Sequence, residues 1–251
     1  MQLFFAHIHG DLFKLDESEV AHCTKVLRKS VGDTVYFITG TGPLYRGTIE
    51  AVSKREVSGH FEVEASNWGG VPYHLTVAIA PTKNMDRFEW FLEKAIEMGV
   101  SRILPVLCQR SERKNLRLDR LEKVALSAAK QSLKGTLPAI HPLQPLESAL
   151  DECSGALAVA HLEDDERTSW PQFIDAHTPT PLVLFIGPEG DFSREEIAML
   201  KNRGATAVHL SSSRLRTETA GVAGVAAVYF QHHSSDPLAR TVGESCCPYS
   251  S

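Results

Sequence analysis

The chain has 251 residues, 43% of them hydrophobic and 23% charged, with a formal net charge of -5, which is enough apolar material for one large or two ordinary cores. No run approaches the ~18 apolar residues that span a bilayer, and Met1-Gln-Leu-Phe-Phe5 carries no basic stretch, so neither a membrane span nor a signal peptide is expected and the protein reads as cytoplasmic. The acidic balance argues against a protein that coats nucleic acid unselectively, while leaving room for a local basic patch.

Residues 1–68 read as a small β domain. Ser18 followed by Val20-Ala-His-Cys-Thr-Lys-Val-Leu-Arg-Lys29 predicts a helix ending near Gly32. Three short strand candidates follow, Thr34-Val-Tyr-Phe-Ile38, Leu44-Tyr-Arg-Gly-Thr-Ile49 and His60-Phe-Glu-Val-Glu64, with Gly40-Thr-Gly-Pro43 as a hairpin turn between the first two. Close-spaced strands imply a small barrel. Asn67-Trp-Gly-Gly-Val-Pro72 is the natural linker to a second domain.

That second domain, residues 73–233, begins with a strand, a helix and a strand. Leu75-Thr-Val-Ala-Ile-Ala80 is a buried strand, Asp86-Arg-Phe-Glu89 opens a helix with an apolar stripe, and Arg102-Ile-Leu-Pro-Val-Leu107 is the next strand. In a parallel sheet Lys83 and Arg87 would stand at the carboxyl end of the first strand. Gln109-Arg-Ser-Glu-Arg-Lys114 is a polar loop before a helix over about 118–134, whose Arg117, Arg120, Lys123, Lys130 and Lys134 form a basic run. Charge runs on helices are usually solvated faces; together with Arg110 and Arg113 this one could form a cationic rim for a phosphate backbone.

Ala156-Leu-Ala-Val-Ala160 is another buried strand, and Glu163-Asp-Asp-Glu166 after it a solvated loop. Leu182-Val-Leu-Phe-Ile186 is a continuous apolar run, hence a strand buried on both faces, which stops at Gly187-Pro-Glu-Gly190. A Gly-rich turn at the carboxyl end of a buried strand is where open α/β sheets bind ligands. Ser193 with Glu196 makes a capping box for a helix to about Arg203, which Gly204 closes. Ala207-Val-His-Leu210 is a short strand that empties into Ser211-Ser-Ser-Arg-Leu-Arg-Thr-Glu218. The last helix, about 218–231, is apolar nearly all round and must be buried, by the rest of the domain or by a second subunit; its Gly221 and Gly224 offer a flat surface for close helix packing. Residues 234–251 read as a disordered tail. The five cysteines show no CxxC spacing, all are expected reduced, and no His or Cys spacing suggests a metal site.

Gly187-Pro-Glu-Gly190 is neither a P-loop nor a GxGxxG turn, and Glu189 and Asp191 would repel a phosphate. Ile186-Gly-Pro-Glu-Gly190, the capped helix, and Leu215-Arg-Thr-Glu-Thr-Ala220 together resemble the RsmE family, SPOUT-superfamily enzymes that methylate uridine N3 in small-subunit ribosomal RNA. His22, Val26-Leu-Arg28 and Gly32-Asp33, then Pro81-Thr-Lys83 with Asp86-Arg87, Glu93-Lys94 with Glu97-Met-Gly-Val100, and Ala129-Lys-Gln-Ser132 are similar to the same family over residues 1–232. The sequence departs from it at Ser211, where the family carries glycine, and at Lys134, where it carries arginine.

The resemblance implies a SPOUT-type knotted parallel-sheet methyltransferase domain of α/β class preceded by a PUA-like barrel that assists RNA binding. It implies S-adenosylmethionine held between two loops, at Leu184, Ile186, Gly187, Glu189 and Gly190 and at Leu210, Ser211, Leu215 and Thr217. It implies RNA contacts at Arg28, Lys83, Arg87, Arg110, Arg113, Gln131 and Lys134, the partner being 16S ribosomal RNA in the small subunit, and a homodimer in which the Gly221 and Gly224 surface meets its copy and whose active site is completed by the other subunit's N-terminal domain. Arg216 is the candidate catalytic residue. A guanidinium beside the uridine O2 and O4 would favour the anion left by N3 deprotonation, unless it pairs with Glu218 or a neighbouring carboxylate. Two alternatives stand: a SPOUT enzyme acting on transfer RNA or a ribose hydroxyl, and a non-catalytic RNA-binding adaptor.

Overall fold

A computed structural model describes residues 1–163 and 166–235. Residues 236–251 of the expected tail, with Cys246 and Cys247, lie outside the described residues, as do Asp164 and Asp165 of the acidic loop. The chain divides into two compact units, the first Met1–Gly70 with Leu126–Leu137, the second Val71–Ala125 with the chain from Pro138 onward.

In the first unit β1 (Leu3–His9), β2 (Leu12–Leu15), β3 (Thr34–Ile38), β4 (Leu44–Val52) and β5 (Val57–Ala65) form a closed barrel in the order β1-β2-β5-β4-β3. A parallel pairing of β1 with β3 closes it. Inward side chains of alternating strands fill the interior, with the Phe13 and Phe37 rings 4.8 Å apart and Phe37 stacked on Tyr45 at 5.2 Å. The expected hairpin at Gly40-Thr-Gly-Pro43 joins β3 to β4, with Gly40 and Gly42 at φ 84° and 121°. β1 and β2 were not expected; they pair with each other across the Gly10 turn, and with β3 and β5 farther along the chain.

The expected first helix is shorter and different. α1 (Glu17–Ala21) is capped by Asp16, whose Oδ1 accepts from the Ser18 N–H at 3.0 Å, and passes into a π-helical turn, His22–Val26. The Thr24 hydroxyl donates to the Val20 carbonyl at 2.8 Å, and the Leu27 N–H reaches back five residues to His22. Arg28 then leaves the helix at φ 55°. The stretch 126–137 is sewn to this barrel through Gly42 N–H to Gly135 O (3.0 Å) and Gly135 N–H to Trp68 O (2.7 Å). Lys130 of the expected basic run pairs with the buried Glu19, so its charge is neutralised locally.

The second unit is a parallel sheet built on β6 (Leu75–Ile79), β7 (Arg102–Leu107), β8 (Ala139–Ile140), β10 (Ala156–Ala160), β11 (Thr168–Ser169), β12 (Leu182–Ile186) and β13 (Thr206–His209), in the order β11-β13-β10-β12-β6-β7-β8, while β9 (Gln144–Pro145) pairs with β7. β6 and β12 are buried at every residue, as continuous apolar runs predict. α2 (Met85–Glu97), α3 (Leu118–Gln131), α4 (Leu146–Asp151), α5 (Trp170–His177), α6 (Arg194–Asn202) and α7 (Thr217–Ser235) complete the chain. The Ser193–Glu196 capping box forms as expected, with Ser193 Oγ accepting from Glu196 N–H (3.2 Å) and Glu196 Oε2 from Ser193 N–H (2.8 Å).

The register aligns Ala160 with Ile186 and Val208, and Ile186 with Ile79, so the carboxyl ends of four strands reach one edge. α7 packs on α2 and on the sheet. An ideal Cβ on Gly221 would lie 2.5 Å from Phe91 Cδ2, and one on Gly224 2.4 Å from Leu184 Cδ2. The two glycines therefore bring α7 close to its own domain, correcting the expectation that they form a flat surface for a second subunit. Among the described residues no helix is long and apolar enough to cross a membrane.

Candidate functional site

At the carboxyl edge of the sheet, three loops enclose a cavity of about 310 Å³. The first follows β12 and contributes Gly187, Pro188, Glu189 and Asp191; the second follows β13 and contributes Leu210, Ser211, Ser213, Arg214, Leu215, Arg216 and Thr217. The third follows β10 and contributes His161, Leu162 and Arg167. This third loop was missed. Its signal was available, because Ala156–Ala160 reads as a buried strand and the same carboxyl-end argument applies to whatever follows it. What the sequence lacks is the strand order that puts β10 between β12 and β13.

The two motif loops are joined by one buried contact: the Thr217 hydroxyl donates to the Gly187 carbonyl at 3.1 Å. Asp191 sits at φ 63°, in the left-handed region, where its N–H bonds the Pro188 carbonyl at 2.9 Å. Its carboxylate accepts from the N–H of Phe192 and of Leu162, both at 2.8 Å, tying the first loop to the third. Glu189 Oε1 accepts from the Lys83 N–H at 2.9 Å.

Of the residues expected at the cofactor, Ile186, Gly187, Glu189, Leu210, Ser211, Leu215 and Thr217 line the cavity. Leu184 does not: it is wholly buried in β12 beneath Gly224 of α7. Gly190 also lies outside the lining and faces Arg110, its carbonyl accepting from Arg110 Nη1 at 2.9 Å. β13 ends at His209, which leaves Leu210 free of the strand to face the cavity.

Arg216 lines the cavity with an exposed side chain, and among the described residues its guanidinium has neither hydrogen bond nor ion pair. The alternative pairing with Glu218 is not formed. Glu218 is buried, its Oε1 is 3.8 Å from Arg87 Nε, and its Oε2 has no hydrogen-bond partner among the described residues.

The expected RNA contacts are distributed unevenly. Arg28 and Gln131 are exposed in the first unit, and Lys134 is half-buried there, with desolvation pushing its ammonium pKa down. In the second unit Lys83 is exposed and pairs with Glu112 at 2.8 Å, which holds its pKa above the ordinary lysine value. Arg113 donates to the carbonyls of Thr82 (3.2 Å) and Lys83 (2.7 Å), and Arg110 to those of Gly190 and Phe192. Arg117, just before α3, and Arg120 on it are exposed and pair with Asp119 and Glu89. Among the described residues no cluster of three His, Cys, Asp or Glu side chains is placed to hold a metal ion.

The lining suits S-adenosylmethionine chemically. Ala160, Ile186, Val208, Leu210 and Leu215 offer apolar surface for a purine, and Glu189 and Asp191 bring carboxylates to the lining, which suits a cationic ligand.

The family model of the RNA methyltransferase domain matches residues 70–229, and that of the RNA methyltransferase PUA domain matches residues 15–62. Ribosomal RNA small subunit methyltransferase E of Rickettsia conorii is 24% identical over 84% of this chain and 86% of its own length, and that of Bacillus subtilis 26% identical over 87% and 90%. Among solved structures, a probable rRNA-methyltransferase from Porphyromonas gingivalis superposes with a TM-score of 0.85 at 31% identity, covering 94% of this chain and all of that one. The Neisseria gonorrhoeae ribosomal RNA small subunit methyltransferase E, solved with S-adenosylmethionine, has a TM-score of 0.77 at 24% identity over 92% of this chain and 98% of its own.

Proposed function

Because the chain belongs to the RsmE family of RNA methyltransferases, we propose that it uses S-adenosylmethionine to methylate N3 of a uridine in 16S ribosomal RNA of the small subunit. The observation that carries this reading is the Arg216 guanidinium, unpaired among the described residues, in the lining of a cavity that also includes Gly187, Glu189 and Asp191. The names of the relatives support the substrate, and the cofactor in the gonococcal structure supports the donor.

S-adenosylmethionine, when bound, supplies an electrophilic methyl group. The chain's own part is to hold the ligands and control charge. Glu189 and Asp191 favour a cationic ligand beside the first loop. Loss of the N3 proton leaves negative charge shared with O2 and O4, and Arg216 stabilises it by charge and hydrogen bonding. Fixing both reactants in line supplies much of the remaining acceleration.

The PUA-like barrel contributes RNA affinity through exposed Arg28, with Gln131 and the half-buried Lys134 in the same unit; Lys83, Arg87 and Arg113 serve from the methyltransferase unit. The trefoil-knotted path, a cytoplasmic location and a homodimer belong to the same reading. The dimer is supported by apolar side chains that the fold leaves uncovered on α2 and α7, Trp90 at 44% and Phe230 at 62% exposure. Nucleoside mass spectrometry of 16S ribosomal RNA from cells lacking the protein tests the function: the N3-methyluridine should vanish and return with the wild-type chain but not with Arg216→Ala. An unchanged modification profile would refute it, and loss of a transfer RNA or ribose methylation instead would reassign the substrate.

A further inference from the structure

We propose that Arg110 is a positioning residue that holds the cofactor loop in shape, rather than an RNA contact; the inference rests on the reading that this loop holds S-adenosylmethionine. The loop needs external support. Asp191 adopts a left-handed conformation without being glycine, a strained state that persists only where the surroundings over-determine it. Asp191 is also one of the residues that face the cavity.

One nitrogen of Arg110 grips the two carbonyls that flank this residue, Nη1 to Gly190 O at 2.9 Å and to Phe192 O at 3.2 Å. Asp191 is fixed from the other side by its carboxylate on the Leu162 N–H, and Phe192 is anchored in the core. Gly190 lets the arginine stem lie close: an ideal Cβ there would be 3.3 Å from Arg110 Cβ, tighter than ordinary contact. The arginine's own backbone is equally constrained. Buried Ser111 exchanges bonds with Cys108 in both directions, each at 3.0 Å, and the Gln109 N–H donates to Glu196 Oε1 at 2.7 Å. Glu196 is the capping-box residue of α6, the helix that the cofactor loop leads into. The loop before α3 and the loop after β12 thus share a carboxylate and a guanidinium, and the shape of one sets that of the other. The Nη1 donors of this guanidinium are spent on the two carbonyls of the cofactor loop, which aims the group at that loop.

The test uses the full-length protein and the variants Arg110→Met, which keeps the stem, and Arg110→Lys, which keeps the charge. S-adenosylmethionine affinity is measured by calorimetry, RNA affinity as a function of salt, and amide exchange of residues 187–193 without ligand. Losing both bonds should weaken cofactor binding about five- to thirty-fold in Arg110→Met and speed exchange at the loop, with the salt slope of RNA binding unchanged. Arg110→Lys, able to reach one carbonyl, should recover part of the affinity. Cofactor affinity at the wild-type value in both variants would overturn the proposal, whether or not the salt slope falls by the one unit expected of a lost phosphate contact. A wild-type chain that binds no S-adenosylmethionine would instead overturn the functional reading beneath it, a distinguishable failure.

Discussion

Thr217→Val is the sharpest single perturbation of the site. The substitution keeps the shape and removes one hydroxyl, the buried donor that spans from the start of α7 to the Gly187 carbonyl at 3.1 Å. Thr217 is only 6% exposed, so water cannot readily replace the lost donor, and a buried carbonyl left unsatisfied costs about 1–3 kcal/mol. In a chain of this size each kcal/mol lowers the thermal midpoint by about 2–4 °C, predicting a fall of roughly 2–12 °C. If the contact also sets the spacing of the two cofactor loops, the same energy appears in ligand affinity as a loss of about 5- to 150-fold. Thr217→Ser keeps the hydroxyl and should retain most of both. Differential scanning fluorimetry with and without S-adenosylmethionine reads the two quantities in one experiment. A Val variant with the wild-type midpoint and the wild-type ligand-induced shift would refute the claim that this bond joins the loops.

Arg216→Met should lower the turnover number by about 10²- to 10³-fold, the usual effect of removing one oxyanion donor, with cofactor affinity unchanged; equal losses of both would make Arg216 a cofactor ligand instead. Gly224→Ala places a methyl group 2.4 Å from Leu184 Cδ2 and should destabilise by about 1–3 kcal/mol without changing the subunit mass, whereas Phe230→Glu, on the exposed face of α7, should give monomers by light scattering. The reverse pattern would return the glycines to the subunit interface. For Lys134, burial holds the folded pKa below that of an ordinary lysine, so the folded state binds fewer protons than the unfolded one between those two values. Stability should therefore rise as pH climbs through that window, and Lys134→Met should flatten the rise in urea titrations; an unaltered pH profile would show that the ammonium is solvated.

Several elements were legible because their causes are local. A continuous apolar run such as 182–186 has no face to show to water, and Ser193 with Glu196 caps a helix through atoms three residues apart, so both stand where expected. Ser211 through Arg216 was legible as a loop because polar residues follow a short apolar stretch, whereas Leu210, read as the strand's last residue, lies beyond it. The first helix misled: its apolar spacing fits a helix to Lys29, but a Thr24 side-chain bond to the backbone and the turn at Arg28 end it early. The barrel strands β1 and β2 carried weak periodicity; they pair with each other as a hairpin and are placed in the barrel by β3 and β5 farther along the chain.

Two of the three loops that line the cavity could be read from the chain alone, since a Gly-rich turn and an arginine-bearing loop at the ends of buried strands are properties of short segments. What those loops face is set by packing. The order β13-β10-β12 brings His161, Leu162 and Arg167 into the cavity as a third wall, and no local pattern encodes which strands are neighbours. Packing decided as well that Arg110 reaches carbonyls 80 residues away, and that Gly221 and Gly224 admit Phe91 and Leu184 of their own domain. A charge or a missing Cβ is visible in sequence, but its role is set by the atom that packing places against it.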